Sequence, residues 1–169
     1  MISSEEINTI LQNNKTVERK IIFSLKDFDY NCFPLDFKDC IFIDKFEVMM
    51  DEIESYSRFE NCLFIHVVYL FGTYFRCGCK FLNNRFKDGF FLFAGGHNTE
   101  GDIVFEGNQF DQFVDFTDCS FYNKIIVKNN NFKVGSNLMG NLEKPYRCSF
   151  HDSPPILENN VGDLSINTD

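Results

Sequence analysis

Three side chains able to move protons recur at one interval: Asp44, His66 and Asp88 follow each other at steps of 22 residues. In a chain coiled with that period, the two carboxyls would lie two rungs apart, about 9–10 Å, with the imidazole between them. Inverting glycosidases hold their two carboxyls roughly 6.5–9.5 Å apart, so the column could serve polysaccharide hydrolysis. The competing reading is a row of turns, where Asp is common for backbone reasons. No long rung-edge loops that would wall a sugar cleft interrupt the pattern. Cys77 and Cys79, with His66 or Cys62, could suggest zinc. Structural zinc sites use two paired motifs with spacers of two to four residues, whereas here a single Gly separates one pair. No metal is expected, and no cofactor either. The sequence has no phosphate-cradling Gly loop, nucleophile elbow or dinucleotide fingerprint.

The elements that would position these residues follow from an internal repeat. Six-residue words with apolar ends begin at Phe37, Phe59, Phe81, Phe105 and Val127, spaced 22, 22, 24 and 22 residues apart. A second series lies half a period later: Val48 to Ile53, Leu70 to Phe75, Leu92, and Phe116 to Phe121. Asn, Asp and Gly break each word, which suits short strands joined by tight turns rather than helices. Wound once per rung, the words place Phe37, Phe59, Phe81, Phe105 and Val127 in one inward column. Phe42, Phe64, Phe86, Phe110 and Phe132 form another. A third column reads Cys40, Cys62, Asn84, Asn108, Asn130, where Cys packs and Asn can hydrogen-bond along its own ladder. Before it stand Asp39, Asn61, Asn83, Gly107 and Asn129, types that tolerate left-handed turns. The expected fold is all-β, a single-stranded right-handed parallel β-helix.

The same alignment pairs Tyr69 with Phe91 and Phe71 with Phe93 as four outward aromatics, with Glu47, Met49, Asp115 and Thr117 on the flanking rungs. A contiguous aromatic patch of that kind marks an interface, unless another part of the chain covers it. A register shift of one residue would turn it inward. The longer step is assigned to residues 94–102, read as a protruding loop carrying His97, Asn98, Glu100 and Asp102, a place where a rigid scaffold can mount function.

Cys40, Cys62 and Cys119 each precede a Phe by two residues, at Phe42, Phe64 and Phe121. Over residues 36–134 these words resemble pentapeptide-repeat proteins, whose coils place a Phe or Leu at every fifth residue with a small residue two before it. Here steps of five alternate with steps of six, so rungs are longer than four pentapeptides. The resemblance implies a coiled β fold; function does not follow from it. Some pentapeptide-repeat proteins resemble duplex DNA in shape and charge and occupy DNA-binding enzymes, which makes an inhibitor of that type one expectation.

At the N-terminus, Ser3 and Glu6 have capping-box spacing, and Ile7, Ile10 and Leu11 form a stripe, which predicts a helix over residues 3–12 that covers the end of the coil. Residues 1–20 form this cap and lead-in, and 21–169 the coil, with an irregular rung or loop at 135–155 and an end that reads as uncapped or truncated. The 169 residues carry 22 Phe and no Trp, a composition suited to stacking like on like. The formal charge of −9 argues against nucleic acid or an anionic membrane as partner and favours a basic one. Seven cysteines placed by the repeat, with no signal-peptide pattern, point to the cytoplasm. The leading expectation is a non-enzymatic interaction or scaffold protein that binds a protein partner or itself. Its rivals are a carbohydrate-active coil and a self-assembling one.

Overall fold

Short strands alternate with corners throughout, because each word offers only two to four residues of inward–outward alternation before a residue that must turn. The computed structural model describes residues 1–25 and 33–168; Cys32 and Asp169 lie outside the described residues. One helix, α1 (Ser4–Gln12), precedes the strands. Its capping box closes as expected: the Ser3 hydroxyl accepts from the Glu6 N–H at 3.2 Å, and the Glu6 carboxylate accepts from the Ser3 N–H at 3.0 Å. Ile7 and Leu11 are fully buried and join the core formed by Val17 and Ile22 of the first rung.

The strands stack into four parallel sheets of seven, six, four and five strands, which one rung visits in turn. Ser57–Glu60 belongs to the first, Leu63–Phe64 to the second, Val68–Tyr69 to the third and Tyr74–Phe75 to the fourth. The chain is a four-sided parallel β-solenoid. Both Phe columns point inward and stack: Phe59, Phe81 and Phe105 at 5.0 Å between centroids, and Phe64, Phe86 and Phe110 at 4.8 Å. Rings of the four-stranded sheet meet these stacks edge-on, as Phe91 does Phe81 at 83°. Offset and edge-to-face contacts both suit the ring quadrupole.

The corner after each word is built as its residue types require. Asp39, Asn61, Asn83 and Asn129 all hold φ between 53° and 55°, and Gly107 holds 68°. The next residue enters the ladder. Asn84, Asn108 and Asn130 are buried, and each side-chain amide donates to the carbonyl of a Phe in the preceding rung at 2.8–2.9 Å. Cys40 and Cys62 occupy the same column and offer their thiols to Val17 O and Phe37 O.

Two expectations about register need correction, both in the longer rung. Strand pairing joins Val68 to Phe91 and Tyr69 to Leu92, a step of 23. The next return to the seven-stranded sheet, Cys79 to Ile103, takes 24. One extra residue therefore sits at the corner before Phe91, where Gly89 turns at φ 81°, and the second lies between Asn98 and Ile103. Phe91 and Phe93 are consequently core residues, 2% and 1% exposed, because a shift of one residue inverts every side chain on a strand. The 94–102 segment is not a protruding loop either. Ala94 and Asn98 are buried, and His97–Asn98 is a strand of the five-stranded sheet. Between Ser136 and Ser149 the chain leaves the regular rung, with residues 142–145 exposed, before Ser149–Phe150 pairs with Ser120–Phe121.

Candidate functional site

The outer face of the four-stranded sheet is the surface that the interior does not explain. Its strands put Phe46, Val68, Phe91 and Val114 inward, so Glu47, Tyr69, Leu92 and Asp115 form the outward column. Two residues on, Val48, Leu70, Phe93 and Phe116 return to the core, and Met49, Phe71 and Thr117 follow on the outside, while Ala94 at the equivalent position is buried. Phe90 stands at the leading edge, with Val67 and Phe113 half-buried beside it. Met49, Phe71 and Phe90 are 47%, 41% and 46% exposed, and Met50 at the trailing corner is 70% exposed. Tyr69 lies 6.3 Å from Phe71 and 6.1 Å edge-on to Phe90, so the rings form one patch. Of the four aromatics expected here, Tyr69 and Phe71 are present, and Leu92 and Ala94 stand where Phe91 and Phe93 were expected. Met50, Phe90 and Leu92 were missed. Phe90 follows Gly89, and that Gly was the available signal for a shifted corner.

Acids border this patch: Glu47 and Asp115 end the Tyr69–Leu92 column, Asp88 precedes Gly89 at the leading corner, and Asp51 follows Met50. Asp118 shares the left-handed corner column with Met50, Gly72 and Gly95. Lys45 pairs with Glu47, and Lys87 precedes Asp88 in the chain.

Asp44, His66 and Asp88 occupy equivalent exposed corners of successive rungs, as the spacing predicts. His66, Asp88 and Gln112 share a depression with Val68 and Phe86, but it has room for only about 10 Å³. That is one water, against ~300–1,000 Å³ for small-molecule sites. The described residues contain no cluster of three or more His, Cys, Asp or Glu fit to hold a metal.

The five-stranded sheet carries a second ordered surface. Tyr74 stacks on His97 at 3.6 Å, Tyr122 on His151 at 4.3 Å and 4°, and His97 meets Tyr122 edge-on. Nearby, Arg76 pairs with Glu100 at 2.7 Å, and Asn98 turns inward to donate to Gly101 O at 2.6 Å. The Asp102 carbonyl accepts from Cys79 N. These loop candidates are thus tied into the scaffold. Burial holds the His97 imidazole below its ordinary pKa, with Glu52 pulling the other way. Since the unfolded chain binds that proton more readily, stability from His97 is complete above the ordinary value of about 6.5 and declines as pH falls through the folded value. Urea unfolding at pH 7.5 and pH 5 should show His97→Gln losing less stability on acidification than wild type. An identical loss in both would show that His97 makes no such contribution.

On the seven-stranded sheet, acids and bases of neighbouring rungs form ion pairs. Arg58 binds Asp36 at 3.0 Å and Glu60 at 3.3 Å, Lys38 binds Glu60 at 3.4 Å, and Lys128 binds Glu158 at 3.1 Å. No helix among the described residues is long and apolar enough to cross a membrane. Fold and surface together define a parallel β-solenoid with an apolar, acid-bordered outer face. Compared with known families and proteins, the chain matches no family model, no curated protein and no solved structure.

Proposed function

We propose that this protein is a non-enzymatic interaction module whose rigid coil presents the outer face of the four-stranded sheet to a protein partner. The observation that carries the reading is the contiguous apolar surface of Tyr69, Phe71, Phe90, Leu92, Met49 and Met50. Single exposed apolar residues are ordinary, whereas a joined patch with a polar border is the usual mark of a binding surface. Its scaffold supports the reading: backbone groups behind the face are bonded rung to rung, as in Leu70 N to Leu92 O at 2.7 Å, so the patch is held in place before a partner arrives. The Cys-x-Phe corners keep the likeness to pentapeptide-repeat coils. The six described cysteines are unpaired, which fits a reducing compartment such as the cytoplasm. A DNA-mimic version calls for continuous acidic stripes, and the ion pairs that neutralise Asp36, Glu60 and Glu158 on the seven-stranded sheet favour the apolar face instead.

Because these side chains lie outside the core, removing them should spare the fold. Phe71→Ser/Phe90→Ser is expected to change unfolding free energy by less than about 1 kcal/mol, within the range of surface substitutions. It should also abolish most of the fluorescence of an apolar dye bound to the native protein. A loss of stability comparable to a core substitution, with dye binding unchanged, would make the patch part of the fold and sink the proposal.

A further inference from the structure

The shape and charge of the face narrow its occupant. Each outward column lies on a strand whose N–H and C=O groups are used within the coil: Val48 N bonds Tyr69 O at 2.9 Å, Met50 N bonds Phe71 O at 2.9 Å, and Phe93 N bonds Asp115 O at 2.8 Å. Across the described strands these groups bond from rung to rung, so an occupant lying over the face meets side chains rather than open backbone. An occupant must arrive with its own backbone hydrogen bonds made, which is the property of a helix. Dimensions agree. Lys45 to Met49 spans about 13 Å at roughly 3.3 Å per residue, and four rungs rise about 14 Å. A helix about 10–12 Å wide covers that surface with about ten residues.

Charge separates the remaining choices. A second copy docked symmetrically would bring the Asp51, Asp88 and Asp115 border of one chain against the same acidic border of the other, on chains that each carry −9. Resting on the docking reading above, we infer that the outer face of the four-stranded sheet takes an amphipathic helix with a basic border, contributed by a partner protein. Its apolar stripe lies over Tyr69, Phe71 and Leu92, with Met49 and Met50 as adaptable walls. Its Lys or Arg residues face Asp88 on one side and Asp51 and Asp115 on the others.

The test uses two labelled probe peptides that share one helical Leu pattern, one with Lys and one with Glu at the polar positions. Binding to the full chain is read by fluorescence anisotropy at low and high salt. The Leu/Lys peptide is expected to bind at least about ten-fold more tightly than the Leu/Glu peptide and to weaken as salt rises. Phe71→Ser/Phe90→Ser should abolish that binding, and Asp88→Asn/Asp115→Asn should weaken it several-fold without loss of fold. Equal binding of both peptides, lost in the Phe71/Phe90 variant, would overturn the basic partner and leave the docking surface standing. Binding of neither peptide, or Leu/Lys binding that survives in that variant, would overturn docking at this face as well. A wild-type dimer in light scattering that the same variant turns into a monomer would give the face to a second copy instead.

Discussion

Phe81→Ala is expected to lower the free energy of unfolding by about 3–5 kcal/mol, the usual cost of truncating a buried Phe. The ring is fully buried and lies between Phe59 and Phe105, each at 5.0 Å and within 6° of parallel. Phe75, Phe86 and Phe91 meet it at 86°, 61° and 83°. Such pairs add about 0.5–1.5 kcal/mol beyond buried area, so the loss should fall toward the upper part of the range. Collapse to fill the space is restricted, because neighbouring rings are held at the rung spacing by the strands that carry them. Phe81→Leu keeps most of the volume and should cost about 1–2 kcal/mol. In a solenoid each rung rests mainly on its neighbours, so a hole in a middle rung should also reduce the coupling between the two halves. Urea unfolding of Phe81→Ala should then show a broader transition as well as a lower midpoint. A cost under about 1 kcal/mol would mean that the column is not the element that holds the coil together.

The same chain shows why this column was legible before the structure and the outer patch was only half so. The Phe words recur with large apolar residues at fixed positions, and both inward columns, from Phe37 and from Phe42, stack as the period predicts. Turn residues were equally readable, since Asp39, Asn61, Asn83 and Gly107 are the types that accept positive φ. Outward positions carry no such constraint. The two extra residues of the fourth rung could be inserted at any corner, and the period alone assigned both to residues 94–102. The structure divides them, one before Phe91 and one after Asn98. One misplaced residue sufficed to turn Phe91 and Phe93 inward and to leave Leu92 and the buried Ala94 at the positions where they were expected. The Tyr74–His97 and Tyr122–His151 stacks were invisible for a related reason. Their spacings depend on that shifted rung and on the 137–148 segment, so they share no single period with the words.

Asn108→Ala should rival the loss of a core ring although it removes little apolar area. The Asn108 side-chain amide donates to Phe81 O at 2.8 Å and to Asn130 Oδ1 at 2.9 Å, while its oxygen accepts from Asn84 N at 2.9 Å and Asn84 Nδ2 at 3.1 Å. Truncation leaves Asn84 N–H and Phe81 C=O without these bonds inside the coil, where water does not replace them. A buried group left unsatisfied costs about 1–3 kcal/mol, so a total of about 3–5 kcal/mol is expected. The ladder repeats the same bonds at Asn84, Asn130 and Asn160, and successive amides polarise one another, so the loss is not confined to one rung. The chain itself supplies the control, since Cys62 occupies this column and its thiol faces Phe37 O at 3.6 Å. Asn108→Cys can offer a weak donor to Phe81 O but leaves Asn84 N–H open, and should cost roughly half as much as Asn108→Ala. Hydrogen exchange gives the local reading: the Asn84 amide should lose protection in both variants, while the Cys62 amide, held by Asn84 Oδ1 at 2.8 Å, should keep most of its own. If Asn108→Ala unfolds as wild type does and the Asn84 amide stays protected, the Asn column fills space without holding the rungs together, and the coil rests on its Phe stacks alone.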